Sequence, residues 1–178
     1  MFTSLTLPSG GLQPALPTMA PERVTSALQV HMQGMRRLQE DILRYQWNSA
    51  EHGWGSLLSH QYHELEAWVE RLMAHFEAAG LRLEAPARVE ARNQDGVESL
   101  PTDGLALAAR MMTDFELLEH KLSEIWLLAE DMAADWMYDV LMGLGFFYHK
   151  SAALYRQHLC ASVVAAWESV ETGVESAT

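Results

Sequence analysis

The chain has a single cysteine, Cys160, so it can close no internal disulfide. Its fold must rest on packing alone, and a reducing compartment, the cytoplasm, is the simplest setting. A lone cysteine near the end of a helix is expected to be a small buried hydrophobe rather than a nucleophile. Cations are scarce too: 12 Lys and Arg stand against 24 Asp and Glu, a net charge of −12. Phosphate backbones are gripped by clustered Lys and Arg, so nucleic acid is not an expected partner. No apolar run approaches the roughly 20 residues of a membrane span. The N-terminal stretch up to Glu22 has neither a basic start nor a continuous apolar core, and does not read as a secretion signal. Strand-length alternation of β-branched residues is missing, as are internal repeats and any Ser-His-Asp, Cys-His, Walker or Rossmann pattern.

What remains is a chain of 178 residues, 49% hydrophobic and 20% charged, enough for one globular domain with a full core. Its apolar residues recur at helical spacing in four segments. The first runs from about residue 22 to 48, opened by Pro21 and Glu22 and striped by Leu28, Met32, Met35, Leu38, Ile42 and Tyr45. A loop with Gly53 and Gly55 follows. Ser56 is the expected N-cap of the second helix and Gly80 its C-terminal stop, with Leu58, Tyr62, Leu65, Val69, Leu72 and Phe76 on one stripe. Asp103 caps the third, reaching about Asp131, with Leu105, Ala108, Met112, Phe115, Leu118, Leu122, Ile125 and Ala129 inward. The fourth is expected from about Met132 to Cys160, with Met137, Val140, Leu144, Phe147 and Leu154 inward. Gly143 and Gly145 inside it each cost about 1 kcal/mol relative to Ala, which close packing or a bend would offset.

Residues 1–20, with Pro8, Pro14, Pro17, Gly10 and Gly11, read as an extended tail, 21–162 as the helical domain, and 163–178 as a C-terminal tail. Residues 81–102 form a connection too long for a compact domain unless it has a task. It would let the chain cross the length of a bundle, which is the ferritin-like arrangement, and its Val89–Gln94 stretch has the makings of a short helix. The fold class is therefore all-α: a ferritin-like four-helix bundle with a long crossover between the second and third helices.

Chemistry-bearing side chains gather on the second helix. His63, Glu66 and Glu70, at spacings of 3 and 4, share a face beside the apolar stripe. Imidazole and carboxylate at helical spacing suit iron, manganese or zinc. His52 and His60 are near enough in sequence to join. Gln46 would orient a ligand water or make a plain hydrogen bond, and Trp47, like the other tryptophans, would anchor the core or a subunit interface. The other reading of the trio is a solvated polar face. Glu116, Glu119, His120 and Glu124 form a second acidic-histidine face on the third helix. His120 follows Glu116 by four rather than three, so the Glu-x-x-His signature is not met and a solvated face is expected.

Gln46-Trp47-Asn48 closing the first helix, Gln61-Tyr62-His63-Glu64-Leu65 and Gly80 on the second, Ala133-Ala134-Asp135 at the start of the fourth and His149-Lys150 within it resemble the Dps mini-ferritins, over about residues 22–160. The resemblance implies a cytoplasmic homo-oligomer, a twelve-subunit hollow shell, that oxidises and stores iron and protects against peroxide chemistry. In that family the ferroxidase centre lies between subunits: one gives two histidines, the other an Asp and a Glu. The first histidine position is Gln46 here, and the second falls near Gly55 or Leu58. The Asp position maps to Glu70 and the Glu position to Ala74. Glu70 is thus the first metal-ligand candidate, with His63 and Glu66 after it, and Gln46, Trp47 and His60 beside them. Iron is the expected metal, with another divalent metal as the variant. The lysine-bearing arm that some members use on DNA has no counterpart. The alternative is a cage or bundle serving as a structural or interaction protein without ferroxidase activity.

Overall fold

A computed structural model describes residues 20–48, 54–84, 103–131 and 137–175. Four helices account for nearly all of them: α1 (Ala20–Asn48), α2 (Gly55–Ala78), α3 (Gly104–Asp131) and α4 (Tyr138–Glu175). No strand occurs among the described residues, and none of the helices is long and apolar enough to cross a membrane. The extended tail over 1–20, apart from Ala20, the short helix expected at Val89–Gln94, His52 and the Ala133-Ala134-Asp135 stretch lie outside the described residues.

The helices form a four-membered ring in which α1 packs on α2 and α3, and α4 on α3 and α2. Directions follow from which residues meet. Glu22 to His31 of α1 share a groove with Lys121 to Leu128 of α3, so these two run antiparallel. Trp54 and Gln61 of α2 meet His158 and Tyr155 of α4, while Trp68 lies against Gly143, so this pair is antiparallel too. The same holds for α3 and α4, where Glu119 meets His149 and Trp126 meets Tyr138. With α1 and α2 joined as a hairpin, α2 and α3 must point the same way. The end of α2 and the start of α3 therefore lie at opposite ends of the bundle, joined by the connection after α2. Near its start, the backbone N–H of Glu84 donates to the Gln29 side chain at 3.0 Å, and that side chain donates to the Glu84 carbonyl at 2.7 Å.

Two expected helix ends appear as the local chemistry predicts. The Asp103 carboxylate accepts from the backbone N–H of Ala106 at 2.7 Å, an N-cap on the third residue of α3. Gly80, at φ 79°, sits where an L side chain is strained. Its N–H donates to the Glu77 carbonyl and that of Leu81 to Phe76, each at 2.9 Å, which closes α2 as a Schellman motif. Ser56 does not cap α2: the helix starts at Gly55, with Trp54 at the cap position and no side-chain cap bond. Leu58 N–H reaches the Trp54 carbonyl directly, and the Trp54 ring, buried on Tyr155 and His158, fixes that end instead. The fourth helix runs on to Glu175 rather than stopping near Cys160, and Cys160 is exposed rather than buried.

The core follows the expected stripe of α1 without exception, but shifts phase elsewhere. On α2 the buried residue is Gln61, and Tyr62 is only half-buried. On α3, Leu107 and Met111 are buried where Leu105 and Met112 were expected; Leu105 is exposed. On α4 the buried line is Met137, Leu141, Leu144, Tyr148, Ser151, Ala152 and Tyr155, with Val140 and Phe147 half-buried and Leu154 exposed. The shifts on α3 and α4 have one cause. These helices are apolar over more than one stripe, so periodicity permits two phases, and the partner helices choose between them.

The two glycines of α4 differ in what they allow. A Cβ on Gly143 would stand 2.6 Å from Cη2 of Trp68, whereas one on Gly145 meets Cδ2 of Leu122 at an ordinary 3.5 Å. Gly145→Ala should raise stability by up to about 1 kcal/mol through helix propensity. Gly143→Ala should lower it by about 1 kcal/mol, since overpacking of roughly 1–3 kcal/mol outweighs the same gain. Urea unfolding of the two variants checks the opposite signs.

Candidate functional site

Residues of the expected metal face lie on the outside of α2. His63 Nδ1 and Glu66 Oε2 are 3.7 Å apart, with side chains 70% and 45% exposed. Glu70, one turn further on, is exposed, as is His60. At the end of α1, Gln46 is half-buried and Trp47 is 84% exposed, so Trp47 is no core anchor. The structure thus brings His63 and Glu66 together as a pair. Among the described residues no three His, Cys, Asp or Glu side chains are grouped to hold a metal ion.

Among the described residues the interior offers no alternative. The buried polar side chains are His31, Gln39, Gln61 and Ser151, and none is a carboxylate. A centre of the kind that ferritin-like di-iron proteins build inside the bundle needs inward Glu residues from several helices. Here the buried residues include Met32, Met35, Leu65, Leu118 and Leu122, with no carboxylate among the described ones.

The acidic face of α3 is not simply solvated. The Arg156 guanidinium of α4 donates to the Glu116 carboxylate, and His149 of α4 lies 3.3 Å from Glu119. These pairs seam α3 to α4 over about two turns. His120 points outward and Glu124 lines a groove at the other end of the bundle.

Sequence periodicity passed over the polar residues inside the core. His31, one turn after Leu28 and one before Met35, occupies a stripe position of α1, and its Nε2 lies 2.9 Å from the hydroxyl of Tyr148. α1 and α4 stand on a diagonal of the bundle, so this bond crosses the core. Gln61 holds the equivalent place between Leu58 and Leu65 on α2, and its Oε1 accepts from the hydroxyl of Tyr155. Gln39 of α1 donates to the Tyr62 carbonyl at 3.2 Å and accepts from Arg36 at 2.9 Å. The signal was present in each case: a polar residue three or four places from an apolar stripe residue on both sides.

Burial, and then the nearby Lys121 charge, lowers the pKa of His31 to about 4. Tyr148 is held well above the usual phenol range by burial and keeps its proton. With Tyr148 as donor to Nε2, the imidazole proton sits on Nδ1. The opposite arrangement would leave both the phenol proton and the Nδ1 lone pair without a partner in the core. Nδ1 has no hydrogen-bond partner among the described residues.

No family model matches the chain, and neither a curated protein nor a solved structure is found to be similar to it. Its function must therefore be argued from the residues themselves.

The polar pairs make two predictions. Tyr155→Phe leaves the Gln61 carbonyl buried without its donor and should cost about 1–3 kcal/mol. Adding Gln61→Leu should recover most of that loss, as a double-mutant cycle in urea would reveal. The second concerns pH. The folded state resists protonating His31 until about pH 4, while the unfolded state takes up that proton near 6.5. The contribution is therefore complete above pH 6.5 and lost as pH falls toward 4, by about 3 kcal/mol in all. His31→Gln should flatten that part of the stability profile relative to the parent, measured by unfolding at pH 7 and pH 4.5.

Proposed function

We propose that this chain is the subunit of a Dps-like mini-ferritin shell that oxidises Fe(II) at sites completed between copies and stores the product in an acidic interior. The observation that carries the reading is helix direction. Because α2 and α3 point the same way, the connection between them must return along the bundle, as the single long crossover of ferritin-like folds does. α2 has 24 residues, so that return spans about 36 Å. Assembly is supported by apolar side chains left on the outer surface: Trp47, Leu127, Met142 and Phe146 are all well exposed, and Met142 and Phe146 lie one turn apart on α4.

Iron is the substrate in this reading. His63, Glu66 and Glu70 supply imidazole and carboxylate donors suited to it. Their exposure leaves them open to a neighbouring subunit, and two or three donors from one chain fall short of a full coordination shell. The net charge of −12 per chain favours cation accumulation inside a shell.

A second reading is favoured by the missing three-donor group among the described residues: a shell or bundle that assembles but has lost ferroxidase activity. Aerobic Fe(II) loading of metal-stripped protein, followed by sizing with iron detection, separates the two. The proposed function expects oxidation faster than buffer, iron co-eluting with a large assembly, and a rate reduced about tenfold or more by Glu70→Ala. A large, iron-free assembly with no rate above buffer would select the second reading. A monomer or dimer would count against the shell itself.

A further inference from the structure

On a chain of net charge −12, α4 is sparsely charged: from Tyr138 to Ala165 its acids and bases are Asp139, Lys150 and Arg156. Arg156 is engaged by Glu116 of α3. Asp139 and Lys150 are exposed, and neither has an ion-pair partner among the described residues. Between them stand Met142 and Phe146. The four follow one another at spacings of 3, 4 and 4, which sets them on one face of the helix. It is the face opposite the buried line of Leu141, Leu144, Tyr148 and Tyr155. Met142 is 61% and Phe146 69% exposed. Leu127 of α3, at the same level of the bundle as the start of α4, is 63% exposed.

We propose that this face of α4 is where two copies of the chain meet about a two-fold axis, with the two α4 helices antiparallel and crossing near Leu144. A two-fold contact needs a surface that complements itself, so that residue i meets residue j while j meets i. The order along α4 has that property: acid, apolar, apolar, base. Reversed and laid on itself, it brings Met142 onto the second copy's Phe146 and Asp139 onto the second copy's Lys150, each pair occurring twice. Met142 and Phe146 are equally far from Leu144, and Asp139 and Lys150 nearly so, so both pairs form in one register. A parallel arrangement would instead set Asp139 against Asp139 and Lys150 against Lys150. An unrelated protein, or another segment of this chain, would need no such symmetry. Because acid and base balance on this face, two acidic chains approach there against little local repulsion. The contact deepens the assembly part of the proposed function and rests on it, but not on the iron chemistry.

The test is sedimentation velocity of the full chain over a micromolar concentration series. The variants are Phe146→Glu, Asp139→Lys, Lys150→Asp and the double reversal Asp139→Lys/Lys150→Asp, with thermal melting by circular dichroism as the check on folding. All three positions are exposed, so the helical fold should persist. Phe146→Glu should weaken self-association about tenfold or more, as loss of a central aromatic contact implies. Each single reversal should weaken it a few-fold by setting like charges together on both sides of the axis, and the double reversal should restore it. A general loss of helix stability at Asp139 would not be rescued in that way. A parent that stays monomeric would overturn both this contact and the shell. An assembly left unchanged by Phe146→Glu and by the single reversals would overturn the α4 contact and leave the shell standing. A double reversal as weak as the singles would overturn the antiparallel pairing.

Discussion

Two hydrogen bonds from one helix hold this bundle in register. α4 sends the hydroxyls of Tyr148 and Tyr155, two turns apart on the same stripe, to His31 of α1 and Gln61 of α2. Burial of Leu, Met and Phe supplies the driving force but is non-directional, and an apolar stripe can slide by a turn at small cost. A phenol buried opposite an imidazole or an amide resists sliding, because another register would also strand the two hydroxyls and the His31 Nε2 and Gln61 Oε1 that they meet here. The phase of α2 follows from this. Gln61 turns inward with Tyr155 there to meet its Oε1, and Tyr62 moves to the edge, where its carbonyl serves Gln39.

The same economy shapes the outside of α3 and α4. A run of Glu116, Glu119, His120 and Glu124 invites a metal-site reading when seen as a string. In three dimensions two of these carboxylates, Glu116 and Glu119, face Arg156 and His149 of α4 and seam the helix pair. Such exposed pairs contribute little energy each, around 0–1 kcal/mol, but they consume the donors that a metal would need. What the bundle keeps open is the His63–Glu66 pair on α2 and the apolar outer face of α4, both directed away from its own core. Chemistry within one chain is thereby disfavoured and chemistry between chains is left available, which is the basis on which a shell with interfacial iron sites is proposed.

His31 joins the core to the surface. One nitrogen is tied to the diagonal helix, and the side chain lines a groove between α1 and α3. Its neutrality comes from burial reinforced by Lys121, so the side chain acts as a fixed dipole rather than a charge.

The amino-acid sequence by itself determined the class and the local punctuation. The number of helices, the apolar stripe of α1 from Leu28 to Tyr45, the Asp103 cap and the Gly80 stop all follow from short-range chemistry: periodicity, a carboxylate facing free N–H groups, a glycine accepting positive φ. It also determined that His63, Glu66 and Glu70 share a face, because that depends only on turns of one helix. Only the tertiary structure decided which of two apolar stripes on α3 and α4 turns inward, since both phases satisfy periodicity and the neighbours arbitrate. Only it placed His31 and Gln61 in the core, because a polar residue is buried where a partner more than 90 positions away can meet it. And only it showed that the three donors on α2 find no others among the described residues, since what stands across from an exposed helix face is a property of the packed molecule, not of the helix.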